Sequence, residues 1–332
     1  MRLATYVLFF VMGMGPLCAQ EPDAWDFVPG EKLLLYDDYT DMPRGASPPH
    51  WKARGSAMRL VDGRLVAAPG ETTLWPNITK WPSNFTIEME ADLKKSPNPD
   101  VPPRNVDWTF LAGEDTWTMH IGFGLSAEGG CEMLMEIADP GENQRSPCKI
   151  RSDKPNKFAI WSQDGRLRAY VNGDRILDMN QVKFKFDRVS LRIGPGEVPF
   201  SLGPVRIAES MPDFSQSFFA SGRYVTHGIL FDVNSDQIKV ESKPILNQIA
   251  EALAAQAAVR LRIEGHTDSS GDPAKNLDLS KRRAASVKAA LVGLGVAADR
   301  LTPEGLGDTK PAARNDTPQG KAENRRVEFV KL

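Results

Sequence analysis

Near the C-terminal end of the chain, Asp268, Asn276 and Arg283 have the types and the spacing to hold a charged ligand. Asp268 closes Gly265-His266-Thr267-Asp268, which leaves an alternating apolar strand, Val259 to Glu264, and Gly271-Asp272-Pro273 turns into a helix carrying Asn276. Asn276 and Arg283 are seven residues apart, two helical turns, so they share a face about 10 Å apart along the axis. A carboxylate at a strand end beside a guanidinium on that helix gives one negative and one positive pole. Such a pair suits a zwitterionic amino-acid head, with Asp268 taking the ammonium and Arg283 holding the carboxylate through two parallel hydrogen bonds. The two residues could equally close on each other as a salt bridge, and spacing alone leaves both readings open. His266 stands beside a carboxylate, but no Ser or Cys nucleophile is placed with it, so a structural role is expected and no catalytic residue is assigned.

A second set lies in the first half. Glu88, Glu90 and Asp92 fall at alternate positions of the run Phe85 to Leu93, so all three project from one face of a strand. Residues two apart on a strand are roughly 6–7 Å apart, near the separation that retaining glycosidases need between two carboxyls. The other reading is a solvated polar face opposite Phe85, Ile87, Met89, Ala91 and Leu93.

The elements that must position these groups use two vocabularies. All seven tryptophans lie before residue 162 and the last hundred residues carry none, which marks a domain boundary. In the first half, short alternating runs are separated by Asp62-Gly63, Asp164-Gly165 and Asn172-Gly173, the signals of tight antiparallel hairpins. Candidate strands such as Leu33 to Tyr36, Met133 to Ile137 and Val189 to Ile193 are shorter than the roughly 9–11 residues a membrane barrel strand needs. An all-β sandwich is expected over 20–210. Residues 211–222 lack periodicity and read as a linker. Residues 223–332 read as a βαβαβ-type α+β domain: a short strand Ile229 to Asp232, a helix starting at Ser242 and Pro244, the strand from Val259, a helix through Leu277, Ala284 and Leu291 ending at Gly295, and a closing strand with Val327 and Phe329.

Composition bounds the partners. A formal net charge of −2 over 332 residues argues against a global electrostatic partner such as DNA, and the arginines at 282, 325 and 326 sit among acidic residues. No nucleic-acid partner is expected. Residues 1–19 combine Arg2, the apolar run Leu3 to Met14 and Leu17-Cys18-Ala19 as a secretory signal peptide, with acylation of Cys18 as the lesser reading. The mature protein is therefore expected to be exported. Cys131 and Cys148 are then the remaining thiols, and an oxidising compartment favours a disulfide over two separately buried thiols. The four scattered histidines offer no ligand spacing, so no metal or cofactor is expected.

Two resemblances extend this reading. Leu33-Leu34-Leu35-Tyr36-Asp37-Asp38-Tyr39, the strand Phe85 to Leu93, and the late runs Gly165 to Gly173 and Val205 to Ala208 resemble the concanavalin A-like lectin/glucanase jelly roll over roughly 25–208. Laminarinase-type members place Glu-x-Asp-x-Glu on such a strand, where this chain has Glu-x-Glu-x-Asp and no adjacent sugar-stacking aromatic in sequence, so the jelly roll is expected to bind a glycan or an envelope protein rather than to hydrolyse one. Ile229 to Ile238, Gly265 to Asp268, Asn276 to Arg283, Leu306-Gly307 and Asn324-Arg325-Arg326-Val327-Glu328-Phe329, in that order, resemble the OmpA-like peptidoglycan-binding domain also found in Pal and MotB proteins. That resemblance implies a non-catalytic grip on the diaminopimelate of the peptidoglycan stem peptide, with Asp268 and Arg283 as principal contacts and Asn234, Asn276 and Arg325 as supporting ones. Thr267 and Asn324 are expected to shape the pocket. The implied location is the periplasm, on peptidoglycan beneath the outer membrane. A wall-tethered glycoside hydrolase and an outer-membrane barrel with a periplasmic foot are the alternatives.

Overall fold

The computed structural model describes residues 26–43, 46–93, 104–113, 116–125, 130–139, 141–151, 154–198, 200–210 and 214–332. The expected signal peptide, Cys18 included, lies outside them. Alternation of apolar and polar residues makes each strand of the first half two-faced, and two antiparallel sheets result. The larger sheet runs in the order Asp174–Met179, Arg166–Val171, Asn156–Gln163, Phe85–Asp92, Phe200–Glu209, Arg64–Ala67, Met58–Val61, with Lys32–Asp37 also pairing with Phe200–Glu209. The smaller runs Glu142–Cys148, Cys131–Ile137, Thr116–Leu125, Val106–Ala112, Arg188–Ile193, Thr72–Pro76, Trp51–Gly55. Among the described residues both sheets are open, with unpaired outer strands, and their inner faces share one core containing Phe85, Ile87, Trp108, Phe110, Phe123 and Leu202. This is a sandwich and not a closed barrel.

Local chemistry explains the register. Asp62-Gly63, Asp164-Gly165 and Asn172-Gly173 all take positive φ at both positions, from +49° to +104°, as two-residue turns matching the strand twist require. Each joins a pair of adjacent antiparallel strands. Cys131 and Cys148 face each other across the hairpin Cys131–Ile137/Glu142–Cys148 and are disulfide-bonded, with Cα atoms 4.9 Å apart.

The second body is a four-stranded sheet in the order Arg223–Thr226, Val327–Lys331, Leu261–His266, Leu301–Gly307, packed against the helices Lys243–Ala254 and Pro273–Gly293. Three details differ from the sequence expectation. The first strand is Arg223–Thr226; Ile229 to Asp232 is a loop with one bridge, Phe231 to Ile238. The stretch read as a linker contains the helix Phe214–Ser221, whose Phe214 and Phe218 are fully buried in the second core. Their i, i+4 spacing puts both rings on one helix face. An extra strand, Leu301–Gly307, runs parallel to Leu261–His266. It is an edge strand, where Pro303 is tolerated because its missing N–H costs no ladder bond.

The long helix lies unusually close to the sheet because two glycines face it. Gly265 and Gly305 are paired across neighbouring strands. A Cβ on Gly265 would stand 2.5 Å from the Ser280 carbonyl oxygen, and one on Gly305 would collide with the Lys281 backbone. This approach fixes Arg283, one turn further on, relative to the end of strand Leu261–His266.

The two bodies touch through the strap 26–31, the Lys157–Glu241 ion pair and the Tyr36 ring against Arg325. Val28 packs against the second core and Phe27 against Ala159 and Tyr170 of the sandwich. The Glu31 carboxylate accepts from Thr226 Oγ1 at 2.6 Å and from the His227 N–H at 2.8 Å, and Lys157 Nζ donates to Glu241 at 2.7 Å. No helix among the described residues is long and apolar enough to cross a membrane.

Candidate functional site

The site is built where strand Leu261–His266 ends. The Thr267 N–H donates to the Gly307 carbonyl at 3.0 Å, which delivers Asp268 to the rim. Asp268 Oδ1 accepts from the Ser270 N–H at 2.9 Å and Oδ2 from Arg325 Nη1 at 2.7 Å. Burial pushes this carboxyl up, but the Arg325 and Ser270 hydrogen bonds outweigh it and hold the Asp268 pKa below the ordinary aspartate value. The turn behind it is fixed by Asn276, which is buried and donates its amide to the Asp268 and Ser270 carbonyls at 3.3 and 3.1 Å. Asp272 caps the helix by accepting from the Lys275 N–H at 2.9 Å, with Pro273 as its first residue.

Arg283 projects from that helix toward the loop 232–237. Its Nε donates to the Ser235 carbonyl at 2.9 Å, its Nη2 to the Asp232 carbonyl at 3.4 Å, and its guanidinium carbon lies 4.8 Å from the centre of the Phe231 ring. Burial, with the neighbouring Arg282 and Arg325 charges, lowers its pKa. Asn234 sits in the same loop with φ +55°, a left-handed conformation asparagine tolerates. The loop is pinned from below by Ser242, whose buried Oγ accepts from the Leu230 N–H at 2.8 Å instead of capping its own helix.

Of the five sequence candidates, Asp268, Arg325 and Asn276 are joined by hydrogen bonds or share the turn 268–276, while Arg283 and Asn234 meet at the facing loop. The self-cancelling salt bridge is not formed: among the described residues Asp268 pairs with Arg325, and Arg283 is held by backbone carbonyls, leaving its charge without a bonded carboxylate. Asn324 is fully buried and accepts from the Ala312 and Ala313 N–H groups at 2.7 and 3.0 Å, while Thr267 Oγ1 is buried with no hydrogen-bond partner among the described residues. Sequence reasoning missed Phe231 and the carbonyls of Asp232 and Ser235 beneath Arg283. It also missed Tyr36, a sandwich residue whose ring centre lies 5.6 Å from the Arg325 guanidinium carbon. Phe231 lies inside the motif string and could have been read as a platform; no local signal links Tyr36 to Arg325.

His266 is buried in the sheet with its Nε2 3.6 Å from Glu328 and 3.8 Å from Glu264. Burial and the Arg326 charge lower its pKa to about 4. Glu264, His266 and Glu328 offer ligand atoms within 4.8 Å of one another. Both carboxylates already accept from guanidinium groups, Glu328 from Arg326 at 2.6 Å and from Arg223, and Glu264 from Arg262 at 2.7 Å. An added cation would meet three arginines there, so the trio suits a structural network better than a metal.

On the sandwich, Glu88, Glu90 and Asp92 do project from one face, but they are not a solvated row. Arg206 donates to Glu88 at 2.8 Å, and Arg64 lies 3.6 Å from Glu90 and 3.8 Å from Asp92. Burial pushes the Glu88 carboxyl up, against the opposing effect of Arg206. Glu88 and Glu90 face the second body across a cleft.

Comparison with known proteins adds to this geometry. Residues 230–325 match the OmpA family. Over 102 residues the chain is 43% identical to outer-membrane lipoprotein YfiB of Pseudomonas aeruginosa, covering 31% of this chain and 61% of that protein. The crystal structure of the peptidoglycan-associated lipoprotein from Burkholderia pseudomallei is 30% identical, with 34% of this chain and 92% of that one covered and a TM-score of 0.30. The VIP36 exoplasmic/lumenal domain covers 53% of this chain and 89% of its own at 10% identity and a TM-score of 0.43. The chain spans between 26% and 61% of the length of curated relatives such as these. Residues 230–325, which hold all five sequence-predicted site residues, are therefore a domain of the OmpA family, carried by this chain behind a β-sandwich.

Proposed function

We propose that the protein is a non-catalytic component of the cell envelope, held on peptidoglycan by its C-terminal domain through the diaminopimelate of the stem peptide. One observation carries the reading: Asp268 and Arg283 lie near enough for Asp268 to act on the Arg283 charge, yet Asp268 is bonded to Arg325 and Arg283 to backbone carbonyls, so neither neutralises the other. An amino-acid head with an ammonium and a carboxylate meets both poles. Its ammonium competes with Arg325 for Asp268, and its carboxylate accepts from Arg283, with Arg325 and Asn234 alongside. The relatives named as outer-membrane or peptidoglycan-associated lipoproteins support a place in the periplasm, at the wall beneath the outer membrane. The sandwich is then presented from the wall to a glycan or an envelope protein.

Pull-down on purified peptidoglycan should lose most binding in Asp268→Ala and in Arg283→Ala, and free diaminopimelate should compete. Full retention by both variants, still folded, overturns the proposal. A wall-tethered hydrolase is disfavoured because the arginines at 64 and 206 occupy the three aligned carboxylates. Turnover of a β-glucan panel, abolished by Glu88→Gln, would reinstate it.

A further inference from the structure

We infer that the cleft between the two bodies is a second subsite, which takes the part of the stem peptide adjoining the diaminopimelate; this rests on the reading of Asp268 and Arg283 given above. The cleft encloses about 310 Å³ between Tyr36, Glu90 and Lys157 of the sandwich and Leu230, Lys239 and Glu241 of the second body. That volume lies at the lower end of the roughly 300–1,000 Å³ of small-ligand sites. It shares two walls with the site. Tyr36 lies against Arg325, the partner of Asp268. Leu230 is followed directly by Phe231 and Asp232, which support Arg283, and Lys239 reaches back to within 3.7 Å of Asp232. The proposed subsite thus adjoins the site on two sides, at Tyr36 beside Arg325 and at Lys239 beside Asp232.

The lining also fits the chemistry of that chain. The cleft presents cations at Lys157, Lys239 and Arg206 and anions at Glu88, Glu90 and Glu241, beside the apolar rings of Pro29 and Pro204. The residues next to diaminopimelate in a stem peptide offer amide groups and a free carboxylate, which such a mixed surface recognises better than it would a lipid or a polyanion. Lys157 uses one of an ammonium's three donors on Glu241 at 2.7 Å. The Lys157–Glu241 pair and the Glu31 latch hold the walls in place, so binding needs little reorganisation.

The test uses the full chain and compares two ligands by calorimetry: free diaminopimelate, and a muropeptide, the wall disaccharide with its diaminopimelate-containing stem. The muropeptide should bind more tightly, and Lys157→Ala and Lys239→Ala should each reduce that advantage about tenfold. Lys239 belongs to neither core and pairs with Asp232 of its own body, so its variant reports even if loss of the Lys157 bridge loosens the interface. An undiminished advantage in both variants, with Asp268→Ala still abolishing both ligands, overturns the second subsite and leaves the proposed function standing. Wild-type binding of both ligands by Asp268→Ala overturns the two together.

Discussion

Arg325 Nη1 donates to Asp268 Oδ2 at 2.7 Å. The carboxylate on which ligand binding is proposed to depend is thus kept ionised by a neighbour and not by solvent, since burial alone would raise its pKa. Arg325→Ala removes the Arg325 hydrogen bond and charge that oppose burial, so the Asp268 pKa rises. Diaminopimelate binding, followed by calorimetry across pH, should then fail at a higher pH than in the wild-type protein. An unmoved profile would show that Arg325 does not set the charge of Asp268.

Arg283→Lys keeps the charge and loses the fork. A lysine cannot donate along both the Nε and Nη2 directions to the Ser235 and Asp232 carbonyls or lie flat over Phe231. Affinity for diaminopimelate should drop by about tenfold or more with the thermal midpoint nearly unchanged. Equal affinity in the lysine variant would mean that only charge matters.

Gly265→Ala and Gly305→Ala test the close approach of the long helix. The new methyl would meet the Ser280 carbonyl in one case and the Lys281 backbone in the other, and backbone cannot swing aside as a side chain can. Each should cost about 1–3 kcal/mol, as overpacking does. Chemical denaturation of the second body reads the loss, and peptidoglycan binding should weaken in step as Arg283 is displaced.

Acid should act on the two bodies with opposite signs. Asp37 is buried in the sandwich beneath Trp51 and the Tyr39 N–H, and burial raises its pKa to about 6. The folded form therefore holds its proton more tightly than the unfolded chain, so this contribution is full below about pH 4 and lost as pH rises through 6. His266 is the reverse. Its pKa falls to about 4, so the unfolded chain binds the proton more tightly and stability is lost as pH drops from about 6.5 through 4. Thermal scans from pH 7 to 4, with tryptophan fluorescence reporting the sandwich and hydrogen exchange of Val327–Lys331 the second body, should show the second body melting first in acid. His266→Gln should remove that dependence.

Reduction should weaken the sandwich alone. The bond between Cys131 and Cys148 closes a separation of 17 residues, for which chain entropy gives about 3 kcal/mol. Cys131→Ser with Cys148→Ser should lower the sandwich midpoint by several degrees and leave peptidoglycan binding intact.

The sequence by itself determined what depends on neighbours along the chain. The Asp-Gly and Asn-Gly turns required positive φ, alternation decided which side of Phe85–Asp92 is buried, and the motif string from Ile229 to Phe329 marked the residues of the second body proposed to bind the ligand. The helix Phe214–Ser221 escaped because two buried phenylalanines in a short segment are too few to show a period. Leu301–Gly307 escaped because Pro303 and Gly305 read as breakers until the strand is known to be an edge facing a helix. Tertiary structure alone decided the electrostatics. Asp268 takes Arg325 and not Arg283 as its partner because the end of the helix Pro318–Asn324 brings Arg325 alongside, while the loop 232–237 draws Arg283 away through its carbonyls. It also decided that Glu88 and Glu90 face a cleft and that Tyr36 lies against Arg325. Such contacts join residues far apart in the chain, and an ion pair is chosen by distance and burial in the folded protein, quantities that no spacing in a sequence encodes.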